Sequence, residues 1–347
     1  MGIVRPRMKC LALVAALLVA CNATNAADDQ PTPDAAPDGT GCSTTTPRTT
    51  PPETFVGPDG LQDRLGALID SAQSSLDLQM YLFTVRPLAD KIVAAKARGV
   101  AVRVILDPDE AGNQNVTPTL TSGGITWKNA STIYTFSHAK YLLIDHTAAV
   151  IMSMNFNIDA MNNERNYGMV DKDPEDVADL QSIFEQDWAL ANGAQPITPD
   201  LSCTRLIVSP VNSTARLLAF INSATTTLDV EVLYITDATV RNAIGAAKQR
   251  GVNVRVILED PSDQNSNADT TTYLENLNIP VKYADNQFYL HAKLIIADGT
   301  AFVGSQNFSP TALSHNREVG ALVFEPAAEA VIEQQFESDW TITTPAP

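Results

Sequence analysis

The chain contains the stretch LIDSAQSSLDLQMYLF at residues 68–83, and a related stretch, FINSATTTLDVEVLYI, follows at residues 220–235. The same offset of 152 residues recurs further on, where ARGVAVRVILDP at residues 97–108 returns as QRGVNVRVILED at residues 249–260. A period of this length indicates a duplicated domain, because the repeats of solenoid proteins are far shorter. We therefore expect two similar folding units within the 347 residues.

Each copy begins with the same order of secondary-structure signals. An apolar strand, at 76–83 or 228–235, precedes an amphipathic helix that ends at Gly99 or Gly251, and a second apolar strand follows. Strand, helix and strand in this order predict a parallel pair joined by a right-handed crossover.

The second part of each copy is interpreted as a loop, a strand pair and a closing helix. The loops, at 109–132 and 260–278, are rich in Asn, Thr and Gly, and the closing helices, at 174–191 and 326–340, end with a shared Asp-Trp whose tryptophan is assigned to the core. This order predicts an α/β fold built of two α/β/α sandwich domains joined by a short Pro-containing segment. The two domains are predicted at residues 55–193 and 203–342.

The charge balance is acidic, with 23 Lys and Arg against 40 Asp and Glu, a net charge of -17 and a pI near 4.5. Proteins that coat nucleic acid derive their affinity from Lys and Arg that neutralise phosphates. The composition therefore disfavours that class of function, although a local basic site remains compatible with it.

Residues 1–26 are interpreted as a signal peptide, with a cationic start and an apolar run from Leu11 to Ala20 that is too short to span a bilayer. The run closes with Leu18-Val19-Ala20-Cys21, which resembles a bacterial lipobox and makes Cys21 the predicted lipidation site. The alternative is a soluble secretory cut near Ala26. Both alternatives predict an exported protein, and the first predicts a lipoprotein anchored to the membrane, facing the periplasm or the cell exterior.

Residues 27–54 are rich in Pro, Thr and Asp and hold few large apolar side chains, which predicts a disordered linker. Of the four cysteines, Cys42 and Cys203 each precede one copy of the repeat. In an oxidising compartment these two could form a disulfide, and the alternative is two unrelated thiols.

Two of the four histidines hold equivalent positions in the two copies. The first copy reads His138-Ala139-Lys140 with Asp145 five residues after the lysine, and the second reads His291-Ala292-Lys293 with Asp298 at the same spacing. Residues i and i+2 of a strand point to the same face, so each copy presents an imidazole beside an ammonium group.

Each motif is followed by a Ser-x-Asn sequence with the same i, i+2 relation, Ser153 with Asn155 and Ser305 with Asn307. If the two halves pack about a pseudo-two-fold axis, their side chains enclose a small pocket rich in hydrogen-bond donors. Such a pocket suits a phosphate diester, and the four residues are predicted to bind its phosphate.

The paired HxKxxxxD motifs, together with the Ser-x-Asn sequences, resemble those of the phospholipase D superfamily, and the resemblance spans about residues 55–342. It implies two repeated domains of phospholipase D type with one active site at their interface. It also implies that one histidine attacks phosphorus to form a phosphohistidine while the other protonates the leaving group, with no metal or other cofactor. Family habit favours His138 as the nucleophile and the more complete second motif favours His291, so the assignment stays open.

The resemblance counts the motif aspartates, Asp145 and Asp298, with the catalytic residues, although their distance from the histidines favours a structural role. It also makes Glu318 the expected residue that orients a catalytic histidine, with Asn166 at the matching position of the first copy. Asn166 can orient an imidazole but carries no charge to stabilise its protonated form. Met152 replaces the glycine expected at the position of Gly304, which raises the question of whether its side chain disturbs the pocket.

Gln79 and Glu231 are matching polar residues in the first strand of each copy, and either the rim of the pocket or the outer surface could hold them. The favoured function is hydrolysis or transfer of phospholipid head groups by a monomer, because export and a lipid anchor place the enzyme beside its substrate. The alternatives are an endonuclease, which the acidic composition disfavours, and a catalytically inactive binding module.

Overall fold

The computed structural model describes residues 44–196 and 199–346, and its residues belong to one compact unit that includes both copies of the repeat. The predicted signal peptide, Cys21, Cys42 and the predicted linker as far as residue 43 lie outside the described residues. Cys203 is disulfide-bonded. Its pairing with Cys42 stays a prediction.

The first half contains seven strands and five α-helices in the described residues, with a 3-10 turn at Ala111–Asn115. In chain order they are β1 (Glu53–Gly57), α1 (Leu61–Ser71), β2 (Ser75–Met80), α2 (Arg86–Ala97), β3 (Ala101–Leu106), α3 (Thr117–Ser122), β4 (Thr126–Asn129), β5 (Tyr141–Ile144), β6 (Ala148–Met152), α4 (Ile158–Asn162), β7 (Glu164–Asp171) and α5 (Pro174–Leu190).

The second half repeats this order with two additional short strands, β12 within it and β16 at its end. Its elements are β8 (Leu206–Ser209), α6 (Ser213–Ser223), β9 (Thr227–Val232), α7 (Ala238–Gln249), β10 (Asn253–Leu258), α8 (Asn267–Glu275), β11 (Val281–Tyr283), β12 (Tyr289–Leu290), β13 (Lys293–Ala297), β14 (Thr300–Gly304), α9 (Pro310–Ser314), β15 (Glu318–Val323), α10 (Pro326–Ile342) and β16 (Thr344–Pro345).

Each half forms one mixed sheet. The first has the order β1-β7-β6-β5-β2-β3-β4 and the second β16-β11-β10-β9-β13-β14-β15-β8. As the strand, helix and strand pattern predicts, β2 pairs in parallel with β3, and β9 with β10. The short strand β12 of the second half pairs with β7 of the first, so the two halves exchange main-chain hydrogen bonds.

Both faces of each sheet are apolar and both are covered, because successive residues of a strand point to opposite sides. In β2, Leu76 and Leu78 pack beneath the outer helices α1 and α2 of their own half. The inner faces of both sheets meet in a central core that includes Phe184 of α5 and Phe336 of α10. The predicted fold of two α/β/α domains is confirmed, and the two sheets share one middle layer of helices, α5 and α10.

The predicted disordered linker ends earlier than residue 54. The Arg48 side chain is buried between Asp171 and Asp176 of the first half and Glu325 of the second, and β1 begins at Glu53. A buried guanidinium that is paired with three carboxylates holds its segment in place, which composition alone does not predict.

The predicted loops after β3 and β10 are also partly regular. The first contains α3 and β4, and the second contains α8. Leu120 and Leu274 are buried in the outer cores, and their burial helps to hold these elements against the sheets. Within the described residues, no helix combines the length and the apolar character needed to cross a bilayer.

Candidate active site

The two motif histidines lie at the junction of the halves because each is hydrogen-bonded to the main chain of the opposite half. The His138 N–H donates to the Arg317 carbonyl oxygen at 2.9 Å, and the His291 N–H donates to the Arg165 carbonyl oxygen at 3.1 Å. Pairing of β12 with β7 supports the second contact, and an isolated bridge from Ser137 to Arg317 supports the first. The structure therefore brings both histidines to one interface.

Both motif lysines are buried, and each donates to the carbonyl oxygen of its own histidine. The Lys140 Nζ to His138 O distance is 2.5 Å, as is the Lys293 Nζ to His291 O distance. Burial lowers the pKa of Lys140 to about 7. Burial and the nearby charge of Lys140 lower the pKa of Lys293 well below its ordinary value. Two ammonium groups that are buried close to one another favour an anion at this site.

The imidazole partners differ between the halves. Nδ1 of His138 lies 2.9 Å from both carboxylate oxygens of Glu318, whereas Nδ1 of His291 lies 3.0 Å from the amide oxygen of Asn166. The nearest carboxylate to His291 is that of Glu164, at 3.7 Å. Both predicted orienting residues are thus in contact with a histidine, each across the junction, and in both cases the acceptor fixes the proton on Nδ1 and leaves Nε2 for chemistry.

This difference appears in the acidity of the two rings. Burial lowers the pKa of His138, although the Glu318 carboxylate opposes that effect. Burial, followed by the charges of Lys293 and Lys140, lowers the pKa of His291 well below its ordinary value. Of the two imidazolium ions, that of His291 is the stronger acid.

The two serines contact the residues that hold the histidines. The Ser153 hydroxyl donates to the Asn166 amide oxygen at 2.7 Å, and the Ser305 hydroxyl donates to Glu318 Oε2 at 2.6 Å. A hydroxyl has one proton, so in this arrangement it is engaged with the orienting residue. Phosphate binding by the two serines stays a prediction.

The asparagines of the Ser-x-Asn sequences remain available to a ligand. Asn155 is 7% exposed and Asn307 is 8% exposed. Among the described residues, neither side-chain Oδ1 has a hydrogen-bond partner. Buried amide oxygens are rarely left unpaired. An amide oxygen only accepts, so these two atoms indicate a partner that donates a hydrogen bond, and only the side-chain N–H groups could donate to a phosphate.

The motif aspartates lie away from the histidines. Asp145 accepts hydrogen bonds from the backbone N–H groups of Gln73, Ser74 and Ser75, and Asp298 accepts those of residues 225–227. Partial burial raises the pKa of Asp145, but these N–H donors outweigh it and lower the pKa to about 2. These contacts agree with the structural role that the spacing favours, since the two aspartates fix the starts of β2 and β9, which neighbour the motif strands.

Met152 does not enter the site, because its side chain is fully buried in the outer core of the first half. A Cβ atom added at Gly304 would lie 2.5 Å from Gln306 Oε1 and 2.7 Å from the Gly320 Cα. The second half therefore needs glycine because the Gln306 side chain occupies the space that Met152 fills in the first half.

Several residues of the site were not predicted. Asp107 and Glu259 directly follow β3 and β10, and their carboxylates accept the N–H groups of Ser137 and Leu290, at 2.6 and 2.5 Å, just before each histidine. Their matching positions in the repeat were a signal that could have identified them. The Tyr81 ring lies edge-on to His138, with centroids 4.7 Å apart.

Gln79 and Glu231 lie neither at the rim of the pocket nor on the outer surface. Both are buried at the junction, where Gln79 accepts a hydrogen bond from the Tyr141 hydroxyl at 2.6 Å and Glu231 accepts one from the Tyr167 hydroxyl at 2.7 Å. Their matching positions in the repeat indicated that both halves need a polar residue there. The strand pattern did not reveal that both faces of the sheet are covered.

A fold of two copied α/β halves, with one His-Lys pair from each half meeting at their junction, defines an enzyme that handles phosphate diesters. The family described as "Cardiolipin synthase, PLD-like domain" matches residues 65–188 and again residues 217–340. The chain belongs to this family, and it is a phosphodiesterase of the phospholipase D superfamily.

Two curated relatives illustrate the range of the family. A cardiolipin synthase of Clostridium perfringens is 24% identical over 325 residues, which cover 80% of this chain and 67% of the relative. A mitochondrial cardiolipin hydrolase of Chlamydomonas reinhardtii is 29% identical over 129 residues, which cover 37% of this chain and 57% of the relative.

Solved structures agree on the fold. The phosphatidylserine synthase of Haemophilus influenzae superposes with a TM-score of 0.69 at 12% identity, covering 86% of this chain and 88% of that chain. The polyphosphate kinase of Porphyromonas gingivalis gives a TM-score of 0.65 at 16% identity, covering 84% of this chain and 47% of that one. At these identities the likeness concerns the arrangement of the two halves alone.

Proposed function

We propose that this protein hydrolyses or transfers the head group of a phospholipid through a covalent phosphohistidine. The observation that carries the proposal is the meeting of two His-Lys pairs at the junction of the halves, where both lysines and His291 are buried and His138 is partly buried. The relatives named cardiolipin synthase and cardiolipin hydrolase support a phospholipid as the substrate.

In the proposed first step, Nε2 of His138 attacks phosphorus, a P–N bond forms, and the P–O bond to the leaving alcohol breaks. The attack leaves positive charge on the imidazole, which the Glu318 carboxylate at Nδ1 stabilises. This favours His138 over His291 as the nucleophile, since His291 has only a neutral amide at Nδ1.

His291 supplies the proton that the leaving alkoxide needs. An imidazolium without a carboxylate partner is the stronger acid, and the negative charge of the bound diester helps to keep it protonated until the transfer. In the second step His291 takes a proton from water or an acceptor alcohol. That oxygen then attacks phosphorus, the P–N bond breaks, and His138 is released.

The two ammonium groups and the amides of Asn155 and Asn307 would hold the non-bridging phosphate oxygens. Charge-assisted hydrogen bonds in a buried site are the strongest available for this purpose. Because one chain supplies every group named here, we propose that the protein acts as a monomer, which sedimentation of the active protein would test.

The function is tested by offering the mature protein vesicles of phosphatidylglycerol and phosphatidylcholine and, separately, single-stranded DNA. We expect head-group release or transfer with the vesicles and intact DNA. If the DNA is cleaved and the lipid is unchanged, the substrate is nucleic acid and not phospholipid. If neither the lipid nor the DNA is cleaved, the proposal is refuted.

The covalent step is tested with a nitrophenyl diester that carries ³²P in its phosphate, because nitrophenolate leaves without a proton and the first step then does not need His291 as an acid. The His291→Ala variant should accumulate acid-labile label on the protein, because it cannot activate water for the second step. The His138→Ala variant should carry none. Label that persists in His138→Ala would exclude His138 as the nucleophile.

We propose further that Cys21 is lipidated and holds the enzyme at a membrane that faces the periplasm or the cell exterior. Support comes from the lipobox-like Leu18-Val19-Ala20-Cys21 and from the nature of the proposed substrate. The wild-type protein should partition into detergent and the Cys21→Ser variant into buffer. Equal partition of the two would remove the anchor from the proposal.

A further inference from the structure

The Asp-Trp that ends both closing helices is a feature that the proposed chemistry does not use. Asp187 and Asp339 lie in the last turns of their helices, α5, which ends at Leu190, and α10, which ends at Ile342. A carboxylate near a helix C-terminus is unfavourable, because the helix dipole is negative there. Both aspartates are also buried, at 4% and 0% exposure, so solvent does not compensate them.

Each aspartate is paired with an arginine of the opposite half. Asp187 accepts hydrogen bonds from Nε and Nη2 of Arg317 at 3.1 and 2.8 Å. Asp339 accepts them from Nε and Nη2 of Arg165 at 2.7 and 3.0 Å. The two ion pairs are equivalent under the repeat and cross the junction in opposite directions.

The same two arginines support the histidines. The carbonyl oxygen of Arg317 accepts the His138 N–H, and that of Arg165 accepts the His291 N–H. The next residue along each strand, Glu318 or Asn166, binds the Nδ1 atom of the same histidine. Any shift of either arginine therefore displaces both the main-chain and the side-chain support of one imidazole.

We propose that Asp187 and Asp339 are positioning residues: each closing helix aligns the histidine of its own half through an arginine of the other half. Asp187 acts through Arg317 on His138, and Asp339 acts through Arg165 on His291. The catalytic consequence rests on the proposed function, whereas the structural consequence can be measured without any substrate.

The structural test is NMR of protein labelled with ¹⁵N in its histidines alone, of which the chain has four. Asp187→Asn should perturb the ring resonances of His138 and leave those of His291 unchanged, and Asp339→Asn should do the reverse. Asp77→Asn is the matched control, because Asp77 pairs through Arg103 with Glu185 of α5 but does not contact Arg317. It should leave both rings unchanged.

If an asparagine variant fails to fold, Arg317→Lys and Arg165→Lys take its place, since they keep the buried positive charge and lose the forked geometry. Folded variants that leave both rings unchanged, or that perturb both rings equally, would overturn the proposal.

The kinetic test separates the two histidines by leaving group, in the first turnover of a nitrophenyl diester and of an alkyl diester. A nitrophenolate leaves without a proton, so misplacing the general acid spares it. Asp339→Asn should slow alcohol release by about 10- to 100-fold and nitrophenol release far less, whereas Asp187→Asn should slow both alike. If both variants lose the same factor in rate on both diesters, the assignment of Asp187 to His138 and of Asp339 to His291 is contradicted. A wild-type protein that cleaves neither diester would refute the proposed function, and the NMR result would still decide the positioning role.

Discussion

His138 and Glu318 are 180 positions apart in the chain, yet the Nδ1 atom of the one lies 2.9 Å from both carboxylate oxygens of the other. The equivalent contact in the opposite direction joins His291 to an amide oxygen, that of Asn166. The carboxylate of the first half is present two residues earlier, at Glu164, whereas the second half has Asn316 there. The carboxyl and amide side chains thus stand in opposite order in the two halves, and this exchange makes the surroundings of the two histidines electrostatically unequal.

Replacing Glu318 with Gln should lower kcat by about 100-fold, because the amide still orients His138 but cannot stabilise the charge of the phosphohistidine. The Glu318 charge raises the pKa of His138 against the effect of burial, so its removal lowers that pKa. The nucleophile must be unprotonated, and the acid limb of the pH profile of kcat/KM should therefore move to lower pH. A profile that stays in place with unchanged kcat would contradict this role for Glu318.

The double variant Glu164→Asn with Asn166→Glu gives the first half the Asn-Arg-Glu order of the second. A carboxylate at Nδ1 should raise the pKa of His291, so the general acid stays protonated to higher pH and becomes a weaker donor. We expect the basic limb of the pH profile to move upward and alkyl leaving groups to slow more than nitrophenyl ones. If the limb instead moves downward, His291 does not act as the acid.

The duplicated motifs predicted most of the fold and the main site residues, because aligning one half of the chain with the other shows which positions the two halves share. The His-Lys pairs and Glu318 could be found in this way, since their positions recur or complete a pattern. The hydrogen-bond partners of Ser153 and Ser305 could not, because a hydroxyl beside a phosphate site and a hydroxyl behind an orienting residue have the same spacing. The shared middle layer was also hidden, since strand alternation shows that a face is covered but not which half covers it.

Replacing Arg48 with Ala should destabilise the protein by about 3 to 5 kcal/mol, because it removes the counter-charge of the buried Asp171 and Glu325, while Asp176 keeps its ion pair with Arg205. Asp171 and Asp176 each lie 2.7 Å from Arg48 Nε. The control is Arg64→Ala, which breaks the exposed pair with Glu53, where the side chains are 33% and 69% exposed. That change should lower the free energy of unfolding by less than about 1 kcal/mol. Equal denaturation midpoints for the two variants would show that the segment before β1 is not held by Arg48.

Replacing Glu231 with Gln should make the stability of the protein less sensitive to alkaline pH. Burial and the neighbouring Asp339 raise the pKa of Glu231 well above 4.5, so the folded protein keeps the Glu231 carboxyl protonated where the unfolded chain ionises it. The stabilisation is complete below the unfolded pKa and is lost as pH rises toward the folded pKa. The first half has Gln79 at the matching position, so the substitution is one that this fold already accommodates. Melting temperatures measured from pH 5 to pH 9 should fall more steeply for the wild type than for Glu231→Gln, and parallel curves would mean that Glu231 is ionised in the folded protein.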